Sequence, residues 1–217
     1  GSAVHAAFGR LWRTFKEVRR YRQAFLFFLS MLLYQDGIQT IIRFAGIYGK
    51  EVGVNESAQI AAFAMVQLLG VPFAFVFGAL GGRIGTRKAI FVALAVYTVA
   101  ATLGFFMQNA THFFLLAGLV ATVQGGAQAL SRSLFSRLIP PAKTSEYFGF
   151  YAVVERFATV LGPLVFTLSG MLTGSSRSAV LGMIVFFVVG GWLLSRVDIE
   201  EGERAARAGG HTSPSEM

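Results

Sequence analysis

The chain has 217 residues, of which 54% are hydrophobic and only 14% charged, with 22 Phe and a mean hydropathy of +0.60. That balance excludes an ordinary soluble domain. A net charge of +8 raises nucleic acid as a partner, but in so apolar a chain positive loops are the expected topology signal and favour anionic lipid headgroups, so no nucleic-acid partner is expected.

Gly1-Ser2 does not resemble a native start, and the chain is expected to begin inside a longer protein. Residues 1–22 form a basic cytoplasmic segment. Within it, residues 6–22 combine Phe8, Leu11, Trp12, Phe15 and Val18 with Arg10, Arg13, Lys16, Arg19, Arg20 and Arg22. This pattern fits an amphipathic helix on the inner leaflet or a solvated basic linker.

Between residues 23 and 197, apolar blocks long enough to cross a hydrocarbon slab about 30 Å thick predict six transmembrane helices. They fall near residues 24–48, 58–81, 89–107, 112–138, 146–173 and 178–195. FVALAVYTVAATLGFF and VLGMIVFFVVGGWLL are apolar on every side, unlike the alternating strands of a membrane barrel. Breakers and polar residues mark the connections at 50–55, 81–88, 108–109, 140–143 and 173–178, with Pro140-Pro141 the firmest stop. Residues 198–217 read as a polar cytoplasmic tail.

Orientation follows from the loop cations. Besides the six at the N-terminus, Arg83, Arg87, Lys88, Arg137, Lys143, Arg196, Arg204 and Arg207 share one side; only Lys50 and Arg177 fall on the other. An even number of spans with both termini cytoplasmic results, as expected for a multi-pass protein of a bacterial inner membrane.

Polar residues inside a span are costly and face a partner or a water-filled cavity. In the first span, YQDGIQTIIR places Asp36, Thr40 and Arg43 on one helical face, flanked by Gln35 and Gln39, while Gly37 can loosen the helix. Asp36 and Arg43 are two turns apart, too far for a direct ion pair. Asp36 either binds a substrate cation or carries a proton, or it makes a structural hydrogen bond to a neighbouring helix. In the fourth span, Gln124, Gln128 and Arg132 form a stripe beside small residues. The stripe can donate to a carboxylate or zwitterion; alternatively this is a packing helix whose Arg132 snorkels to the cytoplasmic interface. In the fifth span, Tyr147, Tyr151, Glu155 and Thr159 recur every four residues, and Arg156 addresses a different partner from Glu155. Glu155 is either a proton carrier or half of an ion pair with Arg43 or Arg132. Gly162-Pro163 predicts a kink.

No G-x-x-x-x-G-K-[ST] loop, H-E-x-x-H or G-x-S-x-G elbow occurs, and there are no cysteines. Neither enzyme activity, a cofactor nor a metal site is expected.

GALGGRIGTRK, residues 78–88, resembles the major facilitator loop motif G-x-L-a-D-R-x-G-R-K through Gly78, Leu80, Arg83, Gly85, Arg87 and Lys88, with Gly82 at the acidic position and Thr86 at a basic one. YQDGIQT at 34–40, VQGGAQALSRSLFSRLIP at 123–140 and FGFYAVVERFATVLGPL at 148–164 add to it. Together they resemble the C-terminal six helices of the vacuole effluxer-like (autophagy-related) family of the major facilitator superfamily. Glu155 stands where the family has a small residue. The resemblance implies an all-α membrane protein: one major facilitator-type lobe of two inverted three-helix repeats. It implies a cytoplasmic gate at Gly78, Arg83, Gly85, Arg87, Lys88 and Arg132, with a weaker lock for want of the acidic residue. It further implies a secondary transporter of a small solute, with amino-acid export as in the yeast-type members. Asp36, Gln39, Arg43, Gln124, Gln128, Glu155 and Arg156 are the candidate substrate- or proton-binding residues. A lone lobe would pair with a missing N-terminal lobe or with a second copy of itself. The alternative is a non-transporting membrane module that dimerises or acts as a scaffold.

Overall fold

The computed structural model describes residues 2–209, with the side chains of residues 2–8, 10, 11 and 158 excepted. Among the described residues the chain is all-helical, and six segments are long and apolar enough to cross a membrane. A short helix α1 (Ser2–Arg20) bends at Tyr21 into α2 (Arg22–Glu51), the first span; α3 (Glu56–Ile84), α4 (Thr86–Phe105) and α5 (Ala110–Arg137) follow. The fifth span is divided into α6 (Thr144–Ala158) and α7 (Leu161–Thr173), and the sixth into α8 (Ser176–Gly182) and α9 (Ile184–Ser195). A last helix, α10 (Ile199–Gly209), completes the described chain.

Local chemistry explains the ends. Asn55 and Asn109 accept from Ala58 N–H and His112 N–H and cap α3 and α5. Where sequence predicts an eight-residue connection at 81–88, both helices instead run on to leave Gly85 alone between them. Its φ of 91° lies in the region open to glycine, so the reversal needs only one residue. Pro163 cannot donate to the carbonyl of Thr159, and the fifth span breaks just before it, as the Gly162-Pro163 pair predicts.

Small residues set the packing. α3 lies most closely on α5, where Gly126 faces Phe77 and Gly125 faces Ala74. α2 packs on α9, with Ser30 Oγ donating to the Gly190 carbonyl at 2.6 Å. Gly37, which can loosen a helix locally, leaves α2 continuous here. A Cβ at Gly37 would sit 2.8 Å from Phe186 Cβ, so this glycine admits α9 rather than bending α2.

Both ends of the described chain pack at one end of the bundle. α1 is fixed by Glu17 to Lys143 at 2.6 Å, by Thr14 Oγ1 donating to Glu146 at 2.6 Å, and by Phe15 against Phe25 and Phe150. Val18 is fully buried while Trp12, Arg13 and Lys16 face outward; the side chains of Phe8, Arg10 and Leu11 lie outside the described residues. Residues 199–209, grouped by composition with the polar tail, form a helix that docks on α2 and α5, and residues 210–217 lie outside the described residues.

Candidate functional site

The interruption of the fifth span is met by a carboxylate from the first. Gly162 N–H, whose helical acceptor would be the carbonyl of residue 158, instead donates to Asp36 Oδ2 at 2.6 Å. Asp36 is 4% exposed and lies at the N-terminal end of α7, where a helix dipole favours negative charge. Thr40 is fully buried one turn along α2, and a Cβ on Gly162 would collide with its Oγ1. Only glycine lets the two spans come this close.

Asp36 and Thr40 share a buried face, whereas Arg43 is exposed. Arg43 is within electrostatic reach of Asp36, yet no Asp36–Arg43 ion pair forms among the described residues, as the two-turn spacing requires. Gln39 is half-buried beside them.

Gln124 sits elsewhere. It lines a largely apolar cavity of about 110 Å³ with Phe44, Tyr48, Phe113 and Phe166, and its Oε1 is buried without a partner. Phe44 and Phe166 stack at 4.1 Å beside it. Gln128 is half-buried and does not line that cavity.

A third group is made by α2, α5 and α6. Tyr34 meets Ser131 at 2.7 Å, and Tyr151 donates to Glu155 Oε1 at 3.0 Å. The Tyr151 hydroxyl is within electrostatic reach of Arg132 and Tyr34. Glu155 pairs with neither Arg43 nor Arg132 among the described residues; its partner is the tyrosine one turn earlier on its own helix. Arg156 and Arg132 are exposed. The candidate residues therefore fall into three places: Asp36 at the helix break, Gln124 in an apolar cavity, and Glu155 with Tyr151.

The loop motif is also divided. Gly78, Arg83 and Lys88 are exposed, while Arg87 reaches the end of the sixth span, donating to the Ser195 carbonyl at 2.8 Å and to Val197 at 3.0 Å. These carbonyls lie at the last residue of α9 and just beyond it, where donors are lacking and a cation is favoured. Beside it, Arg137 bonds Thr86 Oγ1 at 3.4 Å and Glu203 of α10 at 2.5 Å. No local pattern announces these partners, which lie more than fifty positions away.

The family model described as Vacuole effluxer Atg22 like matches residues 1–207. The chain is 38% identical over 194 residues to the "Uncharacterized MFS-type transporter YxiO" of Bacillus subtilis, covering 89% of this chain and 45% of that protein. It is 29% identical over 203 residues to Autophagy-related protein 22 of Yarrowia lipolytica, covering 89% and 34%. With Autophagy-related protein 22 of Saccharomyces cerevisiae the identity is 25% over 217 residues, covering 90% and 39%. The chain spans about a third to a half of the length of these curated relatives.

Proposed function

As the chain belongs to the vacuole effluxer Atg22 like family, we propose that it is one lobe of a secondary transporter that moves a small solute, amino acids first among the candidates, by alternating access against a second lobe. The observation that carries this reading is the interrupted fifth span anchored by Asp36. Broken helices at membrane depth occur where a span serves a site rather than merely crossing lipid.

Three exposed guanidinium groups within spans, Arg43, Arg132 and Arg156, support a second protein surface over this lobe, because charge facing lipid is costly. In this reading Gln39, Arg43, Gln124, Gln128, Glu155 and Arg156 offer donors and charge to a zwitterionic solute. Arg83, Lys88 and Arg132 contact the opposing lobe at the cytoplasmic gate. Gly82 leaves that gate without its acidic partner, so it opens more readily than one carrying the full motif. The bundle end bearing α1 and α10 is cytoplasmic, and the membrane is a bacterial inner membrane.

Uptake of labelled amino acids into liposomes is the test, with this chain alone and with a full-length protein. Uptake only with the second lobe supports the reading. Failure of both, with cross-linked dimers of this chain, favours the scaffold instead.

A further inference from the structure

Asp36 and Thr40 each leave one oxygen buried without a hydrogen-bond partner, Oδ1 and Oγ1 respectively. The two side chains are 4% and 0% exposed. Both oxygens face the same residue: a Cβ built on Gly162 would lie 3.0 Å from Asp36 Oδ1 and collide with Thr40 Oγ1. That place is the break in the fifth span. The N–H of Gly162 is diverted to Asp36 Oδ2 and Pro163 has none, which deprives the carbonyls of residues 158 and 159 of those two helical donors.

We propose that Asp36 Oδ1, Thr40 Oγ1 and the main-chain carbonyls at this break bind a monovalent metal cation of the sodium class. All the ligands are hard oxygens, which suit such an ion, and freed carbonyls at an interrupted helix are the groups that transporters present to one. Charge decides between ion classes. The site supplies a single carboxylate; Arg43 lies within its electrostatic reach, but among the described residues no ammonium or guanidinium forms an ion pair with it. A monovalent cation neutralises that carboxylate, whereas a divalent ion would leave a buried excess charge. One carboxylate oxygen is already committed to the N-terminus of α7, and the other belongs to the ion. Occupancy then ties α2 to both halves of the fifth span. A substrate-sized molecule has no access to so closed a site, which separates Asp36 from the solute-binding residues above.

The proposal rests on the transporter reading, since it names the coupling ion, but binding is measurable without transport. The purified chain in detergent is melted at increasing sodium chloride, with choline chloride keeping ionic strength constant, and equilibrium binding of radioactive sodium is measured alongside. Sodium is expected to raise the melting temperature saturably. Thr40→Val, which keeps the shape of the side chain and removes only the ligand oxygen, weakens the half-saturating concentration by roughly tenfold or more. Asp36→Asn abolishes the response. Identical melting in sodium and choline, no bound sodium, or an unchanged response in Thr40→Val overturns the site. A stabilisation that follows pH but not sodium also overturns it, in favour of a proton. Sodium binding in a full-length protein that moves no solute upholds the site and defeats the transporter reading instead.

Discussion

Tyr34 of the first span and Ser131 of the fourth hold their hydroxyl oxygens 2.7 Å apart, both fully buried. Ser131 gives its one hydrogen to the Ala127 carbonyl at 2.6 Å, so Tyr34 is the donor between them. Ser131→Ala strands a buried phenol and is expected to cost about 1–3 kcal/mol. Tyr34→Phe leaves Ser131 bonded to Ala127 and costs about 1 kcal/mol. The double variant should unfold nearer to Tyr34→Phe than to the sum of the two, as equilibrium unfolding in detergent would reveal.

Gly162→Ala and Gly149→Ala should move stability in opposite directions. A methyl at 162 meets Thr40 and Asp36, whereas one at 149 meets nothing within 4 Å. Overpacking predicts a loss of about 1–3 kcal/mol at 162. Improved helix propensity predicts a gain of up to about 1 kcal/mol at 149. Melting temperatures of the two variants decide it, and equal values would refute the close approach of the two spans.

Arg87→Ala removes two charged bonds to the end of α9 and is expected to cost about 1.5–3 kcal/mol. Arg87→Lys recovers part of that loss, because a single ammonium lacks the guanidinium fork that reaches two carbonyls. Hydrogen exchange should rise first in residues 195–202. If exchange rises instead only within α3 and α4, the link between this loop and the sixth span is not what Arg87 provides.

Glu203→Gln breaks the contacts with Arg137 and Arg207, yet both arginines are substantially exposed. The loss should stay below about 1 kcal/mol and fade as salt is raised. A large, salt-independent loss would mean that α10 is held chiefly through this glutamate.

Because the chain has no cysteine, sidedness can be read by single introduced thiols. In intact cells a membrane-impermeant reagent should label Lys50→Cys and Arg177→Cys, and reach Ser145→Cys only after permeabilisation. The reverse pattern would invert the orientation inferred from the loop cations.

Much of this architecture was legible because crossing a membrane imposes a length and a hydropathy that each span must satisfy alone. The six ranges, the stop at Pro140 and the interruption at Gly162-Pro163 all depend on neighbours in sequence. So does the common face of Asp36 and Thr40. What was illegible depends on distant partners. Nothing near Asp36 announces Gly162, 126 positions away, and nothing near Gly37 announces the close approach of the Phe186 Cβ that needs its missing side chain. Of the two readings of Glu155, a proton carrier or an ion pair with Arg43 or Arg132, the ion pair does not form among the described residues; its partner is Tyr151, one turn back. The docking of α10 escaped hydropathy because a helix lying on the end of a bundle has no membrane thickness to match.

Gln23, at the entry to the first span, donates to Glu201 at 2.6 Å and accepts from the N–H of Asp198 at 2.9 Å. A ribosome delivers these groups at opposite ends of its work on this lobe. Until residues 198–201 emerge, the amide at the entry to the first span is therefore answered by water rather than by protein, which makes residues 198–201 a clasp that buries it late. Chains stalled or cut before Asp198 should insert every span and still present Gln23 to quality-control proteases.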